Sequence, residues 1–253
     1  DAGVHVVYGL VSLKTHAKLS LVVREEQNGI RRYVHVGTGN YNPKTAKLYE
    51  DFGLMSADPI LGEDVNKLFN QLSGFAPQST FNRLLVAPKT IRPGLLDKIQ
   101  NEIYNHELGK PAYIRIKLNS LLDEEIISEL YEAAKAGVKI DLVVRGICAF
   151  RLSKVADFQN VRIRSILGRF LEHSRIFYFH DDGKAEILIG SADIMDRNLN
   201  RRIETLVEIT ESAHKEQLIQ ILELSFSNQF IHWKMDENDR WQHVSTDTNG
   251  KTL

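Results

Sequence analysis

Apolar positions along this chain follow two rhythms, strict alternation and helical spacing, and the rhythm changes many times. "VHVVYGL", "HAKLSLVVRE" and "RRYVHVG" are dense in β-branched residues and predict strands. The Asn-Gly pair in "EEQNGIRR" marks a hairpin between the last two. "DPILGEDVNKLFNQLSG" predicts a helix that opens at Asp58 and Pro59 and ends at Gly74. "FAPQSTFN" reads as a linker. Beyond it, "NRLLVAP" predicts a strand, and "IRPGLLDKIQNEIYNHELG" a helix with Leu95, Leu96, Ile99 and Ile103 on one face. "PAYIRIKLNS" is again a strand. "DEEIISELYEAAKAGV" is a helix with an acidic first turn and Gly137 near its end. "KIDLVVRGI" is a continuous apolar strand of the buried, parallel kind. "NVRIRSI", "SRIFYFH" and "AEILIGS" add strands, and "EQLIQILELSFSNQFIHW" an amphipathic helix. The polar tail from Asp236 is expected to fray. Strands alternating with helices give an α/β class.

Composition narrows this picture without redirecting it. The 253 residues suffice for one large domain or two ordinary ones, and 43% apolar with 26% charged residues is the profile of a soluble globular protein. A net charge of −1 means that any polyanion must be held by a local cluster, not by the general field. The one cysteine, Cys148, excludes an internal disulfide and fits a reducing compartment. It follows the strand "DLVVRGI" and reads as a buried small hydrophobe, not a reactive thiol. No apolar run reaches the length of a membrane span. The first residues, "DAGVHVVYGL", lack a basic n-region and begin inside an expected strand, which predicts a piece cut from a longer chain.

An internal repeat carries the chemistry. "HAK" at His16 to Lys18 is matched by "HSR" at His173 to Arg175. Each opens an apolar strand, and each is followed by a second strand ending in a turn, "GTGN" at Gly37 to Asn40 and "GSAD" at Gly190 to Asp193. Asp51 stands eleven residues after Asn40, and Glu204 eleven after Asp193. Two copies of His-x-cation, hairpin, Gly-Ser/Thr-x-Asn/Asp and acid are far harder to obtain by chance than one. The chemistry suits phosphate. Lys18 and Arg175 would neutralise non-bridging oxygens, one imidazole would attack phosphorus, and the other would act as proton donor. The Asn and hydroxyl groups would add hydrogen bonds, and Asp51 and Glu204 could each orient an imidazole through its second nitrogen.

This arrangement resembles the phospholipase D superfamily, which implies two α/β halves donating one motif each to a shared cleft. The usual signature places an Asp five residues after the cation; here Val23 and His180 stand there. Longer stretches resemble another family. "GLVSLKTHAKLSLVVR", "RRYVHVGTGNYNPKTAKLYEDFGL", "NSLLDEEIISELYEAAKAGVKIDLVVRGIC", "GRFLEHSRIFYF" and "IGSADIMDRNLNRRIE" are similar to the C-terminal half of the bacterial polyphosphate kinases, the large histidine-dependent type. The resemblance implies reversible transfer of the ATP γ-phosphate to polyphosphate through a phosphohistidine at His16. It implies that His173 meets the nucleotide phosphates as a general acid, that Arg145 of "VRGIC" binds phosphate, and that Tyr49 of "KLYEDF" packs on adenine. It also implies Mg²⁺ as cofactor, ATP/ADP and inorganic polyphosphate as partners with no nucleic acid, a homo-oligomer, and a cytoplasmic location peripheral to the inner membrane. A fragment lacking the family's N-terminal half is expected to be inactive or weakly active.

The expected fold is therefore two phospholipase D-like α/β domains, residues 1–82 and 83–253, with mixed sheets flanked by helices and a basic cleft between. The alternatives are a phospholipase D-type phosphodiesterase or nuclease, and a non-catalytic polyanion-binding module. The chain departs from the kinase family after "RGIC", where "AFRLSKVADFQN" replaces a Pro-Gly-rich run, and in "SADIM", where Ile194 replaces a common Trp. The first departure predicts another loop shape from Arg151 to Asn160. His35 shares a face with Tyr33 and reads as a packing residue. His5, His106, His180, His214, His232 and His243 read as solvated. "RNLNRR" at Arg197 to Arg202 is a basic turn, either solvated or in contact with polyphosphate.

Overall fold

The computed structural model describes residues 2–10, 12–74, 80–246 and 250–253. The first part of the chain forms β1 (Lys14–Thr15), β2 (Lys18–Glu26), β3 (Gly29–Gly37), α1 (Pro43–Ala46), β4 (Tyr49–Glu50), β5 (Gly53–Ser56) and α2 (Pro59–Leu72). Then come β6 (Leu84–Val86), α3 (Ile91–Glu107), β7 (Tyr113–Leu118), α4 (Glu124–Ala136), β8 (Lys139–Val144) and β9 (Val161–Ser165). The remainder is β10 (Leu171–Glu172), β11 (Ile176–Phe179), β12 (Glu186–Gly190), α5 (Asp196–Asn200), β13 (Arg202–Ile203), β14 (Thr205–Ile209), α6 (Ser212–Ser225), β15 (His232–Met235) and β16 (Trp241–Val244).

Nine strands form one mixed sheet in the order β16-β15-β9-β8-β7-β11-β12-β14-β6, and β2-β3-β5 form a smaller antiparallel sheet. Only β7, β8 and β9 run parallel in the large sheet, as the unbroken apolar run of β8 predicts. Alternation sends β11 to both sides: Phe177 and Phe179 enter one core, Ile176 and Tyr178 the other. The first core packs α3 and α4 on the sheet through Leu95, Ile99, Ile126 and Leu130. The second joins Val34 and Val36 of β3 and Leu61, Val65 and Leu68 of α2 to Ile187, Ile189 and Val207 of the large sheet. The two halves of the repeat therefore share a core. Helix ends follow the local chemistry: Asp58 caps α2 by accepting from the Leu61 N–H at 2.8 Å, and Gly137 ends α4 at φ 100°.

This is the expected mixed α/β architecture, with helices flanking the sheets. Some expectations fail at the edges. Residues 4–10 form no strand, and Val4 and Tyr8 are 74% and 96% exposed. A β-rich sequence supplies only one side of a ladder, and no described strand meets it here. The last long helix stops at Ser225. His232 and Trp233, expected to end that helix, instead open β15, which covers the edge of β9, and β16 pairs with β15. The chain from Asp236 is thus tied down through Val244. His232 is buried, and its Nδ1 donates to the Phe230 carbonyl at 2.7 Å. His106 and His180 are half-buried rather than solvated. β5 and β14 leave no clear mark on the sequence pattern, because β5 has only Leu54 and Met55 between Gly53 and Ser56, and Glu208 interrupts the short apolar run of β14. The linker expected at "FAPQSTFN" lies partly outside the described residues. No helix among the described residues is long and apolar enough to cross a membrane.

Candidate active site

Two very short parallel ladders build the site. In one, β1 pairs with β13, setting Lys14 opposite Arg202 and Thr15 opposite Ile203. In the other, β4 pairs with β10, setting Tyr49 opposite Leu171 and Glu50 opposite Glu172. The residue after each ladder strand is a histidine or an acid of the repeat. Backbone bonds continue the pairing: the His16 N–H donates to the Ile203 carbonyl at 2.9 Å, and the His173 N–H to the Glu50 carbonyl at 3.1 Å.

These ladders produce a crossed arrangement. His16 Nδ1 lies 2.8 Å from Glu204 Oε2, and His173 Nδ1 lies 2.8 Å from Asp51 Oδ1. Each half's histidine is held by the other half's acid. A carboxylate on Nδ1 selects the tautomer that leaves the Nε2 lone pair available. The two cations repeat one another as well. Lys18 Nζ donates to the His16 carbonyl at 2.6 Å and lies 2.9–3.0 Å from both ring nitrogens. Arg175 Nη1 donates to the His173 carbonyl at 2.7 Å and lies 3.3–3.4 Å from both ring nitrogens.

Burial sets the charge states. Lys18 is 4% exposed, and burial pushes its ammonium down to about 8 against the partial support of Glu204; Arg175 and Arg202 push the same way as burial. That Lys18 responds to Arg175 and Asp51 places the two half-sites within electrostatic reach of each other. Burial would raise the Asp51 carboxyl, but hydrogen bonds from His173 and Thr38 and the charge of Arg175 hold it below its usual range. Asp193 is also held low: burial opposes this, and the Arg175 guanidinium together with the Asn119 and Ser120 N–H groups outweighs it.

The turn residues serve the acids and the arginine. Thr38 Oγ1 donates to Asp51 at 2.7 Å, Ser191 Oγ donates to Glu204 Oε2, and Asn198 Nδ2 donates to Glu204 Oε1 at 2.6 Å. Asp193 pairs with Arg175 at 3.0 Å. The hydroxyls expected to face phosphate instead fix the acids, and of the turn side chains Asn40 is the one left exposed. Arg175, 3% exposed, is bound on several sides rather than free to meet a ligand.

Tyr49 lies against His173, with ring centroids 5.0 Å apart. Arg145 joins the same end through Asn119: its Nε donates to Asn119 Oδ1 at 2.9 Å, and Asn119 Nδ2 donates to the His173 carbonyl at 3.3 Å. No sequence pattern singles out Asn119, or Asn198 beside Glu204, because neither belongs to the repeat. Of the basic turn, Arg201 is paired with Asp196 at 2.9 Å, whereas Arg202 lies beside Glu204 at 4.0 Å. His35 meets the Tyr41 hydroxyl at 2.7 Å, away from both ladders. Burial pushes the Cys148 thiol up to about 11, so it stays protonated, as a small hydrophobe should. Ile194 is 1% exposed and packs in the main core. The departing loop forms two short 3-10 turns, Leu152–Lys154 and Phe158–Asn160, and Ser153 is tied to Asp239. For Mg²⁺ the donors do not fit: no group of three or more His, Cys, Asp or Glu among the described residues could hold a metal, and both acids of the site already hold histidines.

Comparison with known proteins bears on the family and the fold. A family profile described as "Polyphosphate kinase C-terminal domain 2" matches residues 84–252, and one described as "Polyphosphate kinase C-terminal domain 1" matches residues 1–78. A polyphosphate kinase of Streptomyces coelicolor is 52% identical over all 253 residues, which cover 34% of that protein. The crystal structure of polyphosphate kinase from Porphyromonas gingivalis superposes with a TM-score of 0.87 at 35% identity, covering 96% of this chain and 38% of that one. Phosphatidylserine synthase of Haemophilus influenzae shares the fold at a TM-score of 0.51 and 10% identity, over 77% of this chain and 60% of that one. The chain spans about a third of the length of the curated relatives it matches.

Proposed function

This chain belongs to the polyphosphate kinase family, and we propose that it supplies both histidine half-sites for phosphoryl transfer between ATP and polyphosphate. The crossed pairing of His16 with Glu204 and His173 with Asp51 carries the reading. His16 Nε2 attacks the γ-phosphorus of ATP; the N–P bond forms, the P–O bond to ADP breaks, and ADP leaves with the electron pair. The Nδ1 proton stays on the ring, where Glu204 offsets the positive charge of the phosphorylated imidazole. A terminal oxygen of polyphosphate then attacks phosphorus, and the P–N bond breaks to restore the Nε2 lone pair. Each step reverses.

His173 enters the step as the imidazolium, with Nδ1–H held by Asp51 and Nε2–H facing the nucleotide phosphates; it gives the Nε2 proton to the leaving ADP oxygen and becomes the neutral imidazole. Arg145 and Tyr49 flank that histidine as phosphate and adenine contacts. Lys18 swings from the His16 ring to the transferring phosphoryl group, while Arg175 acts from its buried position as fixed charge. Mg²⁺, when bound, would add positive charge at the nucleotide phosphates, which would hold it in place of a nest among the described residues. A phosphohistidine route needs no attacking water in either direction, and a site that keeps water out preserves the intermediate for the acceptor, which suits a kinase better than a hydrolase. Oligomerisation and attachment at the membrane periphery are proposed from the family resemblance alone, for the full-length protein.

The decisive experiment incubates the full-length protein with γ-labelled ATP and Mg²⁺. The label should resist base, leave in acid, and be absent from His16→Ala. Label on serine, or on His16→Ala, overturns the mechanism. Release of nitrophenol from a bis-phosphodiester would favour a phosphodiesterase instead.

A further inference from the structure

The two ladders are equivalent in the repeat but opposite in chemistry. On the His173 side, β4 and β10 set Tyr49 opposite Leu171, an aromatic beside an aliphatic. On the His16 side, β1 and β13 set Lys14 opposite Arg202, two cations. Residues two apart in an extended chain share a face. Arg202 therefore shares the face of Glu204, and the 4.0 Å separation of their charged groups bears this out. Lys14, registered with Arg202, stands beside it on the face of His16.

Like charges directly opposite one another destabilise a ladder unless something neutralises them. The other ladder shows how this fold does so internally. Glu50 and Glu172 are also registered like charges, and Lys117, 4% exposed, reaches between them at 3.3 and 2.9 Å. No charged side chain among the described residues reaches between Lys14 and Arg202 in this way; the acid beside Arg202 is Glu204, at 4.0 Å. Glu204, the acid beside Arg202, already accepts from His16, Ser191 and Asn198. Lys14 pairs with no acid among the described residues. Lys18 and Arg202 lie at His16 with Glu204 as the carboxylate in contact, and Lys14 stands in register beside Arg202. The balance is left for an anion that arrives from outside.

In-line transfer makes ADP and the terminal phosphate of the acceptor share the position facing His16 Nε2. The rest of each ligand must diverge from there, and the ladders offer it two different surfaces. Resting on the kinase reading above, we propose that Lys14 and Arg202 form the subsite for the linear phosphate chain, and that Tyr49 and Leu171 take the nucleoside. The site is thus polar along its length: the nucleoside lies at one pseudo-equivalent end and the polyanion at the other.

The test uses the full-length protein carrying Lys14→Met, Arg202→Met, both together, Arg202→Lys and, as the opposite control, Tyr49→Ala. Titration calorimetry with inorganic polyphosphate of defined length and with ADP reads binding without turnover; thermal melts exclude unfolded variants. The double variant should weaken polyphosphate binding by about tenfold or more and flatten its salt dependence, because the number of counterions released on binding follows the number of phosphates the protein neutralises. ADP binding should fall less than polyphosphate binding, since only its terminal phosphate reaches the shared position facing His16, while the polyphosphate chain runs on along the cations. Arg202→Lys should recover most of the affinity, and Tyr49→Ala should show the reverse pattern. Polyphosphate binding unchanged in the double variant, or ADP weakened equally, overturns the assignment. If wild type takes no acid-labile label, the phosphohistidine mechanism fails, and the binding data still decide the subsite.

Discussion

His16 and Glu204 are 188 residues apart in sequence and 2.8 Å apart in the folded chain. The reciprocal contact, His173 with Asp51, spans 122 residues at the same distance. The repeat would let each half orient its own histidine, yet each histidine is oriented by the other half. The parallel ladders explain why: they lay the strand before each histidine against the strand before the opposite acid. Neither half can present a correctly held imidazole alone.

Glu204 should therefore matter as an orienting group, not merely as packing. Glu204→Gln keeps the size and an acceptor oxygen but removes the charge that balances a phosphorylated imidazole. The rate of His16 labelling by γ-labelled ATP should fall by roughly a hundredfold, the scale of a lost acid–base partner. The KM for ATP should move little, because Glu204 meets His16 rather than the nucleotide. Glu204→Asp, which keeps the charge at a shorter reach, should recover part of the rate. An unchanged labelling rate in Glu204→Gln would remove Glu204 from the mechanism.

Lys18 sets a pH limit. Its ammonium is pushed down to about 8 by burial, so as pH rises through that value the folded protein loses the charge while the unfolded chain keeps it to about 10.5. Labelling should decline along an alkaline limb near pH 8, and Lys18→Met should flatten that limb at a uniformly lower rate. Stability carries the opposite sign. In the window from about 8 to 10.5 the unfolded state binds more protons, so Lys18 makes folding more favourable as pH rises. Denaturant midpoints of wild type and Lys18→Met across this window measure that difference.

Arg175 should behave as a structural charge. It is 3% exposed, paired with Asp193 at 3.0 Å, and bonded to the Thr38 and His173 carbonyls. Arg175→Ala strands a buried carboxylate and should cost about 3–5 kcal/mol in urea unfolding. Combining it with Asp193→Asn should restore part of that stability, since the stranded charge is then gone. A simple phosphate contact would show the reverse: unchanged stability, and a raised KM for ATP.

Much of this was legible in the sequence, for identifiable reasons. Hairpins and helices with strong local signals, such as Asn28-Gly29 and the Asp58 cap, formed where periodicity placed them. His16 and His173 were legible because they repeat with their cations and acids. What was not legible is tertiary. The crossing of acids between halves depends on ladders of two residues each, too short to leave a periodic signal. Asn119 and Asn198 act through contacts with residues outside their own motifs. β15 formed because β9 offered an open edge, which outweighed the helical spacing of its own residues. Residues 4–10 failed as a strand for want of the same thing.

The turns "GTGN" and "GSAD" differ at their third position, Gly39 against Ala192, and the acids explain the difference. Asp51 is one methylene shorter than Glu204, so its carboxylate sits closer to the backbone. A Cβ built on Gly39 would overlap the Asp51 carboxylate, while Ala192 is accommodated and fully buried. Gly39→Ala should thus displace the Asp51 carboxylate from His173, and because its Cβ would also lie 2.8 Å from the Asp51 Cβ, which rotation cannot move, the turn must shift locally too; the overlap is with one side chain and not with a ladder carbonyl. Gly190→Ala is different: its Cβ would collide with the Thr205 carbonyl, backbone against backbone, in the β12–β14 ladder. The first variant should keep its melting temperature within a few degrees and lose about tenfold or more in turnover, with labelling at His16 reduced less than the full cycle. The second should be unstable or fail to accumulate. Gly39→Ala with full turnover would show that His173 does not need Asp51, and equal stability of the two variants would show that the crowding at Gly190 is relieved by a backbone shift.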